Sequence, residues 1–457
     1  MSKKKENKKE TKGKEEKTKN KSNKQHSKDN KSKKNKIIKT SLAIIKVFIV
    51  ILLSLTITQY YQEQVRIKEE QQKEEARQKL IKEITSHYNN YVKTTKETTL
   101  YELDQEEYRK IGTIAKDVEL TLEKIEIDEK IKYFKVQDKN QYIEYKTVTP
   151  IDSVSEIDTR FLRYIPFNEN VVTKEGYKIY NQDGNQLYTL DKSKTYPILI
   201  KEDDKYYVNH DNQLVYILKE DISTVEQAAN QTEEIATKIR AVTYHAIYKV
   251  GVETDCVTII CHPEEQLESH ANYLKENNFF TLTMQEVDWY IDGKINLPKK
   301  SIIITIDDGY LAERGIIILD KYKLNATVFL VTAWYTPDNF TQSKYIEFHS
   351  HGDNLHNQGI CPGGQGGAIK CADKQELLTD LATSREKLNN STVFCYPFYE
   401  YNNYSIEVLK EAGFTLAFAG YKNGAWVVPG TSKLEIPRYT VTNDESLQHF
   451  ISEVTPY

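Results

Sequence analysis

The run Ser301-Ile-Ile-Ile-Thr-Ile306 stops abruptly in Asp307-Asp308-Gly309. So apolar and β-branched a run reads as a buried strand, and two carboxylates at its end cannot continue into the same core. Helical periodicity over 269–277, 284–291 and 313–323 brackets that strand, and 326–331 reads as the next one, which makes a βαβ unit. Farther on, 374–388 reads as a helix, 393–396 as a strand, 405–412 as a helix closed by Gly413, and 415–419 as a strand. Repeated β-then-α units predict a parallel barrel. The acidic and imidazole motifs all fall at strand C-terminal ends, where such barrels place their chemistry.

The second motif is Ser350-His351-Gly-Asp-Asn-Leu-His356. One Asp and two His form a ligand set that holds a divalent metal while leaving positions open for water and substrate. The other Asp is then free to act as a base on that water. Two adjacent carboxylates do not straddle a glycosidic bond, whose hydrolysis needs groups about 5 Å or more apart. His351 and His356 cannot share one face of a regular helix, but a turning loop converges them. His349 lies two residues before His351 and stands as a fallback ligand or a packing residue; Asp353 and Asn354 are placed to orient an imidazole or to face solvent.

Phe394-Cys-Tyr396-Pro397-Phe398, ahead of Tyr401-Asn402, and Ile436-Pro437-Arg438-Tyr439 complete an ordered set. Together with the two motifs above, residues 241–457 resemble the polysaccharide deacetylases, the NodB-like carbohydrate esterases. The resemblance implies a (β/α) barrel of the deacetylase type with about seven strands. It also implies Asp307 as the base, and Asp308, His351 and His356 as ligands of a divalent ion. Zinc is the default for such a site, and cobalt, nickel or manganese also suit it. A backbone N–H beside the Pro-aromatic turn, at Phe398 or Tyr399, would bind the oxyanion, with Tyr396 and Pro397 lining the sugar site. Arg438 would hold Asp307 ionised. His245, in Thr243-Tyr-His245, resembles an early motif of a subgroup. Two departures stand out. The arginine that often precedes the third motif's proline is absent, and so is the late Leu-x-His that supplies a general acid; His449 has the wrong spacing.

The rest of the chain has its own logic. Residues 1–36 form a Lys-rich tail expected to be disordered, since seventeen lysines and five acidic residues fall within the first forty positions. An apolar segment over 37–59 is long enough to span a bilayer, with Lys39 and Lys46 snorkelling, and the N-terminal lysines place that end in the cytoplasm. A membrane role for the tail is favoured over nucleic acid. Residues 60–97 read as a helical stalk supported by charge pairs. Alternating runs over 98–152 and 170–222 repeat at about 75 residues and predict two small β-barrels resembling bacterial SH3-like domains, modules that often bind cell-wall peptides. A linker helix is expected over 223–240. Five cysteines lie between Cys256 and Cys395. Cys361 and Cys371 can close a loop; Cys256 and Cys261 pair or stay reduced; spacing settles neither.

The expected protein is therefore a single-pass, outward-facing, metal-dependent hydrolase of the cell membrane. It would remove acetyl groups from N-acetylglucosamine units of wall polysaccharide. The SH3-like pair and the stalk make peptidoglycan the expected substrate; the four-residue gap between the histidines resembles deacetylases of exported poly-β-1,6-N-acetylglucosamine, which stands as the alternative. A wall-binding protein with a degenerate catalytic domain is the non-enzymatic alternative.

Overall fold

The computed structural model describes residues 23–123, 133–229, 232–253, 256–420 and 425–455. It divides into two units, Met1–His87 and Tyr88–Tyr457.

The first unit is one helix, Asn23–His87. Helical structure thus begins well inside the stretch expected to be disordered, and residues 1–22 of that expectation lie outside the described part. By length and composition the segment from Lys36 onward can cross a membrane. Val47, Phe48, Ile51, Leu52 and Leu55 are all exposed. Hydroxyls within it do not oppose an apolar surrounding, because Thr56 and Thr58 donate to Leu52 and Ser54 carbonyls at 3.0 and 2.7 Å. Beyond it, Arg66 pairs with Glu63 and Glu70. The helix ends at His87 rather than near residue 97, since Tyr91–Thr94 is already a strand.

The second unit starts with two β modules of the same connectivity. In the first, Tyr91–Thr94 pairs with Glu119–Thr121 and Val148–Pro150. Thr98–Asp104 pairs with Glu107–Ile114 and Tyr142–Glu144, and the latter with Tyr133–Lys135. In the second, Glu169–Thr173 pairs with Thr195–Pro197 and Ile222–Gln227. Tyr177–Tyr180 pairs with Gln186–Leu190 and Gln213–Leu218, and the latter with Lys205–His210. In each, a single 3-10 turn, Tyr145–Thr147 or Lys219–Asp221, precedes the last strand. The modules are not separate: Gly112–Ile114 pairs with Tyr188–Leu190, giving one nine-stranded sheet. Gly112 is required at that seam, because a Cβ there would lie 2.2 Å from the Thr189 carbonyl oxygen.

The linker helix expected over 223–240 does not form. Ile222-Ser-Thr-Val is β-branched and finds an open strand edge at Glu169–Thr173, so it pairs there instead.

The remaining domain is a curled parallel half-barrel of the deacetylase type. Its strands are β1 (Arg240–Tyr244), β2 (Ser301–Ile306), β3 (Ala326–Leu330), β4 (Ile346–Ser350), β5 (Val393–Cys395), β6 (Leu416–Phe418) and β7 (Tyr439–Thr440). The order is β6-β5-β4-β3-β2-β1-β7, all parallel. Helices Met284–Ile291, Ala312–Tyr322, Lys374–Lys387 and Asn403–Glu411 cover the sheet. Every residue of β2 is buried. Ile436 bridges β6 while Tyr439 pairs with β1, so the segment between them spans the gap between the two edges. Arg438 sits in that span.

The second β module is fused to the barrel floor. Ile200 and Tyr207 of the module, with Phe161 and Tyr164 of the segment leading into it, share one core with Phe280, Leu282, Trp289 and Ile295. The Tyr164 hydroxyl donates to Glu286 at 2.6 Å, and the Trp289 indole N–H donates to Glu202 at 3.0 Å. Glu286 also closes the capping box with Thr283, so one carboxylate serves both the helix start and the junction.

Candidate active site

Strand β2 delivers Asp307 and Asp308 to the barrel rim. The chain turns sharply there: Asp308 has φ 72° and Gly309 φ 88°. A Cβ at Gly309 would stand 2.8 Å from Leu330 Cδ2, so only glycine lets the turn lie against β3. This turn sends the two carboxylates in different directions.

Asp307 is buried at 1% exposure and meets Arg438 through two parallel bonds: Nη1 donates to Oδ1 at 2.7 Å and Nη2 to Oδ2 at 2.8 Å. Arg438 also donates to the Ala419 carbonyl and to Thr243 and Thr305 hydroxyls. A buried guanidinium is tolerated because its donors are matched in this way. Burial alone would raise the Asp307 carboxyl, but the guanidinium outweighs it and holds the group below the usual carboxylate value. Cys395, at the end of β5, completes the cluster. Its thiol donates to Asp307 Oδ2 at 3.4 Å and accepts from Arg438 Nη2 at 2.9 Å, and burial pushes it up, toward the neutral form.

Asp308 faces the other way. Its Oδ1 lies 3.2 Å from Nε2 of His351 and 3.2 Å from Nε2 of His356. That oxygen is buried and accepts no hydrogen bond among the described residues. The His351 Nδ1–H donates to the Cys395 carbonyl at 2.8 Å, which fixes the tautomer and leaves the Nε2 lone pair free. A buried carboxylate oxygen without a donor, facing two imidazole lone pairs, fits a divalent cation.

His245, one residue past β1, joins the cluster. Its Nε2 is 3.9 Å from Asp307 Oδ2 and 3.2 Å from the Tyr399 hydroxyl, and burial holds the imidazole below its ordinary value. Phe398 and Tyr399 both adopt positive φ, 57° and 62°, at the Pro397 turn. The Tyr399 N–H is committed to the Tyr396 carbonyl at 3.0 Å, which leaves the N–H of Phe398 as the other backbone donor of the turn. Its ring lies 4.3 Å from that of His356.

Geometry decides three open readings. His349 is not near the ion site: its Nδ1 contacts Ser391 at 2.7 Å, and burial drives it to about 4. Tyr396 does not line a sugar site. It is fully buried, stacks on Tyr401 and donates to the Leu434 carbonyl, so it belongs to the core beneath the turn. Asp353 orients no imidazole; it binds the Thr332 hydroxyl and Lys387. His449 is exposed and bonds to Glu445. Cys395 is the residue that sequence reading passed over. Its signal was the strand period: with Phe394 and Tyr396 facing one core, Cys395 must face the barrel interior. The four other cysteines pair as Cys256–Cys261 and Cys361–Cys371.

A parallel half-barrel with this rim defines a hydrolase of the deacetylase class. Residues 294–417 match the family model described as polysaccharide deacetylase, and the chain carries a domain of that family, whose members hydrolyse carbon–nitrogen bonds other than peptide bonds. Over 241 residues the chain is 26% identical to the poly-beta-1,6-N-acetyl-D-glucosamine N-deacetylase of Staphylococcus aureus (strain MSSA476), covering 46% of this chain and 81% of that protein. Among solved structures, IcaB from Ammonifex degensii aligns with TM-score 0.41 at 19% identity, over 49% of this chain and 100% of its own. The Streptococcus pyogenes deacetylase PplD in complex with acetate aligns with TM-score 0.40 at 19% identity, over 48% and 100%.

Proposed function

We propose that the protein is a metal-dependent N-deacetylase acting on β-1,6-linked N-acetylglucosamine polymer outside the membrane. The observation that carries the metal dependence is the donor-free Asp308 oxygen between two oriented imidazoles. The substrate reading is supported by the named activity of the Staphylococcus aureus relative.

Asp308, His351 and His356 would hold the ion. When bound, it supplies Lewis acidity toward a water and an acetyl carbonyl. Asp307, kept ionised by Arg438, removes the proton from the attacking water. The Phe398 N–H faces the developing oxyanion. Asp307 then returns that proton to the departing amine, so the proton taken from water leaves on the product. The Asn23–His87 helix would anchor the chain with its Lys-rich end in the cytoplasm, and the paired β modules would act as SH3-like wall-binding units. That pair favours peptidoglycan as a second reading of the substrate.

The test is acetate release from β-1,6-linked N-acetylglucosamine oligomers and from peptidoglycan glycan, with chelator and after restoring zinc, cobalt, nickel or manganese. Release from the first substrate only, abolished by chelator and by Asp307→Asn, is expected. Preference for peptidoglycan overturns the linkage. Release indifferent to chelator overturns the metal.

A further inference from the structure

We propose, resting on the deacetylase reading above, that Trp334 forms a sugar-binding subsite beside the ion site and sets the preference for a glycan over a simple acetyl compound. Tryptophan is ordinarily among the most buried side chains on average, yet Trp334 is 47% exposed. Its ring centroid lies 5.3 Å from that of His356 at 66°, an edge contact that leaves indole surface open. The ion site opens on that side: His356 and Asp308 are each 18% exposed in their side chains, while His351 is 2%.

The exposure is not that of a loose loop. Trp334 N–H donates to Val331 at 2.9 Å, while Thr332 and Ala333 N–H donate to the Gly352 and Asp353 carbonyls, both at 3.0 Å. The Thr332 hydroxyl and Lys387 Nζ then meet on one Asp353 oxygen, each at 2.6 Å. The turn after β3 is therefore locked to the loop carrying both histidines, and the indole is held at a fixed distance from the chemistry. A rigid, half-exposed aromatic next to a reacting centre loses little entropy on binding. Its apolar face matches the C–H face of a pyranose ring, a contact an unadorned acetyl group cannot make.

The experiment compares full-length wild type, Trp334→Ala and Trp334→Phe on an N-acetylglucosamine oligomer and on an aryl acetate lacking any sugar. A stacking contact of this kind corresponds to about a tenfold change in affinity. We expect Trp334→Ala to lower the ratio of kcat/KM on the oligomer to that on the aryl acetate about tenfold, through KM more than kcat, and Trp334→Phe to restore most of it. Tryptophan fluorescence of Asp307→Asn should shift on adding the oligomer, and that shift should vanish in Asp307→Asn/Trp334→Phe. Equal losses on both substrates would reduce Trp334 to a prop for His356 and overturn the proposal. So would an unchanged ratio. Wild type that hydrolyses the aryl acetate but no glycan would instead overturn the deacetylase reading, and the subsite with it.

Discussion

Replacing Arg438 with methionine probes the Asp307 pair most directly. The substitution keeps an apolar side chain at this position but removes the guanidinium, whose carbon lies over the Phe329, Tyr399 and Phe418 rings. Asp307 then loses both charge-assisted bonds while remaining 1% exposed. Removing one partner of a buried ion pair costs about 3–5 kcal/mol, because the remaining charge is stranded. The pH consequence has a definite sign. In the native protein the folded carboxyl sits below its ordinary value, so its contribution to stability is present above the unfolded pKa and lost as pH falls through the folded one. Without Arg438, burial is the leading influence left and pushes the carboxyl upward. Stability then declines as pH rises toward neutrality, and the base needs a higher pH to ionise. Urea denaturation at several pH values and acetate release against pH check both consequences. The acid limb of activity should move to higher pH, and Asp307→Asn/Arg438→Met should recover part of the lost stability. A single variant destabilised by under about 1 kcal/mol with an unmoved acid limb would refute the pairing argument.

Two further changes test the ion site and the module seam. Adding zinc at about a hundredfold its Kd should stabilise the wild type by about 2.7 kcal/mol and raise Tm, while His356→Ala or Asp308→Asn should bind no stoichiometric metal by elemental analysis. Gly112→Ala drives a Cβ into the Thr189 carbonyl oxygen. It should cost about 1–3 kcal/mol and speed amide exchange at Gly112–Ile114 and Tyr188–Leu190, leaving the barrel strands protected.

The barrel was legible because its signals are local. Fully apolar β2 and the capped helix Met284–Ile291 stand out in sequence, and the strand-end position of Asp307 and Asp308 follows from them. The strands that escaped notice, such as Glu169–Thr173 and Ile222–Gln227, are stabilised by distant pairing rather than by strong alternation. Val225, inside the expected linker helix, is 44% exposed on such a strand. Within the site, residue types announced the ion ligands, whereas His349 and Tyr396 were separable from them only by knowing which way each side chain faces. Cys395 stands inside the third motif, but its residue type announced no role there. Its role comes from Asp307 and Arg438, which lie 88 and 43 residues away in sequence.

The shared core has a consequence for any attempt to isolate the catalytic half. The motifs all lie beyond Arg240, which invites a fragment beginning there. Yet Phe280, Leu282, Trp289 and Ile295 are covered in part by Phe161 and Tyr164 of the segment between the modules and by Ile200 and Tyr207 of the second β module. Burying one large apolar side chain is worth about 1.5–3 kcal/mol, so uncovering even half of those four removes roughly 3–6 kcal/mol. Whole domains are stable by only about 5–15 kcal/mol. The same contiguous core includes Cys395 and Phe418, which touch Asp307 and Arg438 from below. A fragment from Arg240 should therefore be poorly soluble, bind a hydrophobic dye and lose acetate release. One from Tyr88, which keeps both β modules, should melt cooperatively and remain active. Equal thermal stability and activity in the two fragments would mean that the modules merely rest on the barrel, and that the floor seen here does not support the site above it.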